Sequence, residues 1–487
     1  MIKRNAPRHA LLGLILAGTF MTQPVFADEP AAQPLGSNLQ TLKELDGKAP
    51  ARRALNIQTW NTAEGAKVLF VESRELPMID MRLIFAAGSS QDGNRPGIAL
   101  LTNAMLNEGV KGKDVSAIAQ GFEGWGAEFE NGSYRDMAVA SLRTLSAADK
   151  REPALKLFSE VVGKPTFPTD SLTRIKNQLI ASFEYQKQNP GAIGSKELFK
   201  KLYGNHPYAH PSDGDAKSIN AITLAQLKAF HAKGYAAGNA VIALVGDLSK
   251  EEAQAVAAQV SASLPKGPAL AKVADPVEPK AGTTHIEFAS NQTLLMLAQL
   301  GITRNDPDYA ALTVGNSVLG GGGFGSRLMT EVREKRGLTY GVSSGFTAMQ
   351  AAGPFMINLQ TRAEMNENTL KLVQGIVQDF LANGPTQKEL DDVKRELTGS
   401  FPLTAASNSA IVAQLGAIGF YDLPLTYLED YMTAAQSVTV EQVKAAMSKH
   451  LSADKMVIVT VGPTVPQKEL PAPTDKPTRQ PAGVPEH

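Results

Sequence analysis

With no cysteine in the chain, histidine is the natural metal ligand to look for, and there are seven. His9 lies in an N-terminal apolar segment, His487 is the last residue, and His231, His285 and His450 each stand alone. His206 and His210 are four apart, the spacing that puts two imidazoles on one helical face. Pro207 and Pro211 make that stretch a loop, so no metal is expected there. Two glycine motifs fail on context. Gly320, Gly322 and Gly325 satisfy G-x-G-x-x-G, but a dinucleotide fingerprint follows a strand, and residues 309–317 read as helix. Gly341, Ser343 and Gly345 satisfy G-x-S-x-G, but a nucleophile elbow needs a helix behind it, and residues 340–346 read as strand with none following.

The elements around these residues repeat. Residues 155–179 and 370–397 each read as helix, Pro-containing break and second helix, with Pro168-Thr169 and Pro385-Thr386 ahead of the second helix. Each copy continues into a capped helix and an apolar strand. Thr223 with Gln226 precedes 241–246, and Thr439 with Gln442 precedes 457–462. Near the start, residues 67–72 and 80–85 alternate as strands of an antiparallel sheet with one face covered by helices. The expected fold is α+β, not doubly wound. It has two similar lobes, 51–265 and 283–465, each an antiparallel-rich sheet covered by helices. A Pro-rich linker, 266–282, joins them, and the tail 466–487 is expected to be disordered.

Two stretches then resemble the insulinase/pitrilysin metallopeptidase family. One is Phe85-Ala86-Ala87-Gly88-Ser89-Ser90 with residues 97–109; the other is 319–328 with 331–340. The resemblance covers about residues 55–463, both lobes in order. In that family a helix carries H-x-x-E-H, whose histidines bind Zn²⁺ and whose Glu serves as general base. Here Leu100 and Ala104 stand at the two His positions and Asn103 at the Glu position, while Gly97, Ala99, Met105, Leu106 and Gly109 still match. Aligning Arg174 with a family Arg puts Ser182 at the third-ligand position, with Glu184 turned roughly 200° away along the helix. The resemblance therefore implies a degenerate zinc site and no metal in this chain. In the second stretch a Gly-rich loop, Gly320, Gly321, Gly322, Gly323 and Gly325, opens a helix ending in R-E-K-R-G-L-x-Y. The resemblance implies catalytic roles for Arg333 and Tyr340. An Arg fork suits a substrate carbonyl, and a phenol suits a developing oxyanion. Arg336 is the alternative to Arg333.

Composition narrows the setting. Forty-eight basic and 48 acidic side chains give a formal net charge of zero, so no nucleic-acid partner is expected. Lys3, Arg4 and Arg8, an apolar run from Ala10 to about Phe20, and Val25-Phe26-Ala27 read as a secretory signal peptide, 1–27, followed by a flexible leader, 28–50. The apolar run is short for a hydrocarbon layer of ~30 Å, so no membrane span is expected after cleavage, and the expected location is the periplasm. An exported chain with an intact Arg/Tyr segment and no zinc site is expected to form a heterodimer with a zinc-bearing insulinase-family chain. It would lend Arg333 and Tyr340 to hydrolysis of a peptide substrate. The other expectation is a non-enzymatic peptide-binding or scaffold protein of the cell envelope.

Overall fold

The computed structural model describes residues 55–474; the expected signal peptide and leader lie outside the described residues. The strands are β1 (Gln58–Asn61), β2 (Lys67–Glu72), β3 (Met78–Phe85), β4 (Gly109–Val110), β5 (Lys113–Asp114), β6 (Glu128–Ser133), β7 (Ala138–Leu145) and β8 (Ala240–Gly246) in the first half. The second half contributes β9 (Gly282–Glu287), β10 (Gln292–Leu300), β11 (Val342–Phe346), β12 (Pro354–Arg362) and β13 (Val457–Gly462). They form one sheet in the order β1-β2-β8-β3-β7-β6, another in the order β11-β12-β10-β13-β9, and a small β4-β5 ribbon. Without β1 the two large sheets match strand for strand: β2, β8, β3, β7, β6 against β9, β13, β10, β12, β11. Each contains a single parallel pair, β2 with β8 and β9 with β13, and is otherwise antiparallel. The sequence repeat is a repeat of topology.

The caps read from the sequence are present. Thr223 and Thr439 each accept a hydrogen bond from the backbone of Gln226 and Gln442, whose side chains bond back in a full capping box.

The sheets depart from the expectation of one covered face. Val68, Phe70 and Leu83 point into one core of the first lobe, while Leu69, Val71 and Ile84 point into a separate cluster on the opposite face. The second face is closed by the helix Asn408–Phe420 from the other half of the chain, through Ile411, Leu415 and Ile418. The exchange is reciprocal. The helix Pro190–Tyr203 of the first half lays Leu198 and Leu202 on Leu294, Met296, Val459 and Val461 of the second sheet. Burial on both faces explains why β8 is a continuous apolar run, with every residue buried. Close approach is set by glycines. A Cβ on Gly419 would lie 2.5 Å from Val241 Cγ1, and one on Gly416 2.7 Å from Ile84 Cδ1.

Polar contacts lock the halves as well. The Asp136 carboxylate, in the β6–β7 turn, accepts from the Tyr208 hydroxyl and, at 2.8 Å, from the Gln350 backbone N–H. The Ala351 N–H donates to Tyr208 Oη at 3.2 Å.

The tail expectation needs correcting up to Thr474. Residues 466–474 form no helix or strand, yet they are hydrogen-bonded along the second lobe, and Leu470 packs against its core. Pro-rich composition points to disorder, but these bonds come from tertiary neighbours that composition does not reveal.

Candidate functional site

Leu100, Asn103 and Ala104, the positions read from the resemblance as a degenerate metal site, lie on the short helix Ile98–Ala104. Its N-terminus is held from the side. Buried Asp92 accepts from the Gly97 N–H at 2.7 Å and the Ala99 N–H at 2.9 Å. Burial pushes this carboxyl up to about 7, against the opposing pull of those two bonds. Leu100 and Ala104 share the half-buried side of the helix, and Ala104 packs on the same apolar cluster as Leu179 and Ile180 of the helix Thr169–Gln186. Asn103 is buried. Its amide donates to the Val139 carbonyl and the Tyr235 hydroxyl, both at 3.2 Å. Ser182 turns its hydroxyl onto the Leu179 carbonyl at 2.7 Å.

The structure therefore brings the four positions onto two packed helices, but their donors do not fit zinc. Leu and Ala offer no lone pair, the Asn amide is committed to the core, and a serine hydroxyl is not a neutral-pH zinc ligand. Glu184 is exposed and paired with Lys187. Arg174 pairs with Glu108, whose carboxylate is largely buried.

The second site is an open cleft of about 760 Å³ in the second lobe that brings Arg333 and Tyr340 together. The Gly-rich loop shapes its approach. A Cβ on Gly320 would meet Ser344 Oγ at 2.5 Å, one on Gly322 would meet the Ser317 carbonyl at 2.5 Å, and Gly323 has φ of +61°. Gly321 is crowded by Asn316, whereas Gly325 has open space. The loop sends Phe324 to the cleft, and the Arg333 guanidinium lies 4.5 Å from its ring centroid. The segment Met329–Glu334 is wound as a wide π-type helix, with the Lys335 N–H bonded to the Thr330 carbonyl, a geometry frequent at functional sites. Gly337, at φ of +59°, ends it. Tyr340 follows before β11 and is 89% exposed.

The neighbouring cations differ. Arg336 donates to both the carbonyl and the carboxylate of Glu331, and Lys335 donates to the same carboxylate. Burial works against that carboxylate, yet these two cations hold Glu331 below its usual range. Arg333 pairs with no carboxylate among the described residues. Arg336 is thus tied to its own helix, whereas Arg333, like Arg362, keeps its guanidinium on the cleft without a carboxylate among the described residues. Sequence reading missed Phe324, Gln360 and Arg362 of the lining. Phe324, between glycines of the Gly-rich loop, was the one with a visible signal.

Among the described residues, His206 and His231 are bonded into the fold. The His206 ring receives the Tyr208 N–H and sits 2.7 Å from the Ala274 carbonyl. Buried His231 bonds to the Val162 carbonyl. His450, isolated in sequence, is brought to Asp308 at 2.9 Å and Asp306 at 3.8 Å. Lys449 also binds Asp308, at 2.7 Å, so an ammonium already takes the place a cation would need. Among the described residues no single helix is long and apolar enough to cross a membrane.

The comparisons agree with this geometry. The family described as Insulinase (Peptidase family M16) matches residues 67–215, and Peptidase M16 inactive domain matches residues 221–397. A Helicobacter pylori protein, "Non-peptidase homolog YmxG", is 27% identical over 410 residues, covering 84% of this chain and 94% of its own. An uncharacterized zinc protease of Mycobacterium tuberculosis is 25% identical over 327 residues, covering 65% of this chain and 73% of its own. Among solved structures, the peptidase M16 inactive domain from Pseudomonas fluorescens has a TM-score of 0.84 at 76% identity, over 86% of this chain and all of that one. The periplasmic protease PqqL from Escherichia coli shares the fold, with a TM-score of 0.71 at 16% identity, this chain covering 47% of its length. The chain belongs to the insulinase (M16) peptidase family, as an inactive-type member that lacks the family's zinc-binding residues.

Proposed function

We propose that this chain is the non-metal subunit of an exported, heteromeric zinc peptidase. The observation that carries the proposal is the contrast between its two sites. The metal-site positions are filled with apolar or committed side chains, while Tyr340 stands 89% exposed in the same cleft as Arg333, whose guanidinium pairs with no carboxylate among the described residues. An exposed phenol sharing a cleft with such a guanidinium suits recognition, and Tyr and Arg are the residues that dominate recognition surfaces. Zinc held by a sister chain would supply the activated water. This chain's part is to bind and polarise: Arg333 donates to a carbonyl of the bound peptide, and the Tyr340 O–H donates to the oxygen on which charge develops. Arg336 stays on Glu331 and shapes the turn. One M16 relative is called a non-peptidase homologue, which fits a chain that hydrolyses nothing by itself, while others are called zinc proteases, the kind of chain proposed as partner.

The test is to tag this chain, co-express it with a zinc-motif homologue from the same genome, and measure what co-purifies. The expected result is a stoichiometric complex whose zinc disappears when the partner's histidines are replaced. Recovery of this chain alone favours the other reading, a peptide-binding or scaffold protein of the envelope.

A further inference from the structure

The chain does not leave the second lobe after β13. Gln467 accepts from the Glu367 N–H at 3.1 Å and donates to the Ala363 carbonyl at 3.0 Å. The Lys468 N–H donates to the Glu364 carbonyl at 2.7 Å, and Asn368 donates to the Lys468 carbonyl at 2.8 Å. Leu470 packs on the core. Pro471, Ala472 and Thr474 then form a wall of the Arg333–Tyr340 cleft. Thr474 donates from its N–H at 2.9 Å and from its hydroxyl at 3.2 Å to one acceptor, the Lys335 carbonyl. The cleft thus already holds an extended peptide segment, bonded main chain to main chain beside the helix that carries Arg333.

We propose that residues 471–474 are a built-in competitor, a strap lying in part of a cleft that binds extended peptides, and that an incoming peptide displaces it. This rests on the reading of the cleft as a peptide site. The strap has an anchor and a lightly held stretch. Residues 466–470 are tied by four hydrogen bonds and a core leucine, whereas, among the described residues, 471–474 are bonded in the cleft through Thr474. Pro471 and Pro473 fix φ and keep this stretch extended, the shape a peptide ligand must take to reach the same carbonyl. A tethered segment competes at an effective concentration on the order of mM, enough to mask weak ligands without blocking good ones. The ligand class is an extended peptide with a free N–H for the Lys335 carbonyl.

Truncation after Leu470 keeps the anchor and removes only residues 471–487. A second variant, Thr474→Pro in the full chain, removes one donor N–H and the hydroxyl with no change in length. The probe is a fluorescein-labelled synthetic peptide of residues 471–487, followed by anisotropy without any partner chain. The truncated protein is expected to bind at least about tenfold more tightly than the full chain, with Thr474→Pro shifted the same way. Equal affinity for truncated and full chains, or no binding to either, overturns the strap. If the strap fails this test while Tyr340→Phe still cripples a two-chain enzyme, the proposed function survives. A tenfold gain in a protein that captures no zinc partner refutes the proposed function alone.

Discussion

At the scale of one residue, Asn103, which the family resemblance puts at the general-base position, acts as a clamp in the core: it holds Val139 and Tyr235 together. Asn103→Ala leaves a buried carbonyl and a buried phenol short of a partner, and should cost about 1–3 kcal/mol in chemical denaturation. Restoring the motif with Leu100→His, Asn103→Glu and Ala104→His should not restore stoichiometric zinc, measured by elemental analysis. Ser182 offers no third ligand, and a carboxylate at 103 would be buried. Asp92 behaves differently. Its carboxyl is raised by burial to about 7 in the fold, against an ordinary value of 3.8. The unfolded chain therefore releases this proton first. The stabilisation from protonated Asp92 is complete below about pH 4 and is lost as pH rises to about 7. Neutral Asp92→Asn should flatten that part of the stability–pH profile, as urea denaturation at pH 4, 5.5 and 7 would show. His210 lies 3.9 Å away, and burial lowers its pKa, so it supplies little positive charge near neutrality.

At the scale of elements, glycines decide how closely the exchanged helices sit. Gly419 faces branched side chains on β2 and β8, where an added Cβ would lie 2.5 Å from Val241 and 2.7 Å from Leu69. Gly419→Ala should destabilise the protein by about 1–3 kcal/mol. Gly194, at the equivalent contact in the other lobe, faces the Met296 sulfur at 2.8 Å. A thioether yields easily and alanine favours helix, but the Cβ would also come to 3.2 Å from Val461 Cγ2, so Gly194→Ala should cost less than Gly419→Ala by the same measurement. Much at this scale was legible. The strand bounds 67–72 and 457–462, the two Thr–Gln capping boxes and the repeat are written in local pattern and cap chemistry. The helix exchange was not. An apolar face says that a helix is covered, not which sheet covers it, and the helix Asn408–Phe420 is apolar on most sides. Arg333 and Tyr340 could be read because they lie in one contiguous motif. The commitment of Arg336 to Glu331, the Phe324 contact and the path of residues 466–474 depend on side-chain directions and tertiary partners that spacing does not contain.

For the whole molecule, the exchange means that each lobe covers one face of its own sheet and leaves the other face to a helix of its neighbour. Residues 51–265 alone would leave Leu69, Val71, Ile84 and Val245 bare on one sheet face. An apolar face of that kind favours aggregation, so the excised half should be insoluble while the full chain melts in one cooperative transition by calorimetry. A rigid two-lobed body with an inert metal site and an open Arg/Tyr cleft suits a subunit that presents groups to another chain. The direct test is peptide cleavage by a complex of this chain with the proposed zinc-bearing partner, before and after Tyr340→Phe here. The account predicts a fall in kcat/KM of roughly 10²–10³-fold, with zinc content and melting temperature unchanged, because the lost donor is exposed and, on the proposed reading, would act only on the oxyanion. Cleavage that proceeds at the same rate with Tyr340→Phe, or without this chain at all, would contradict it.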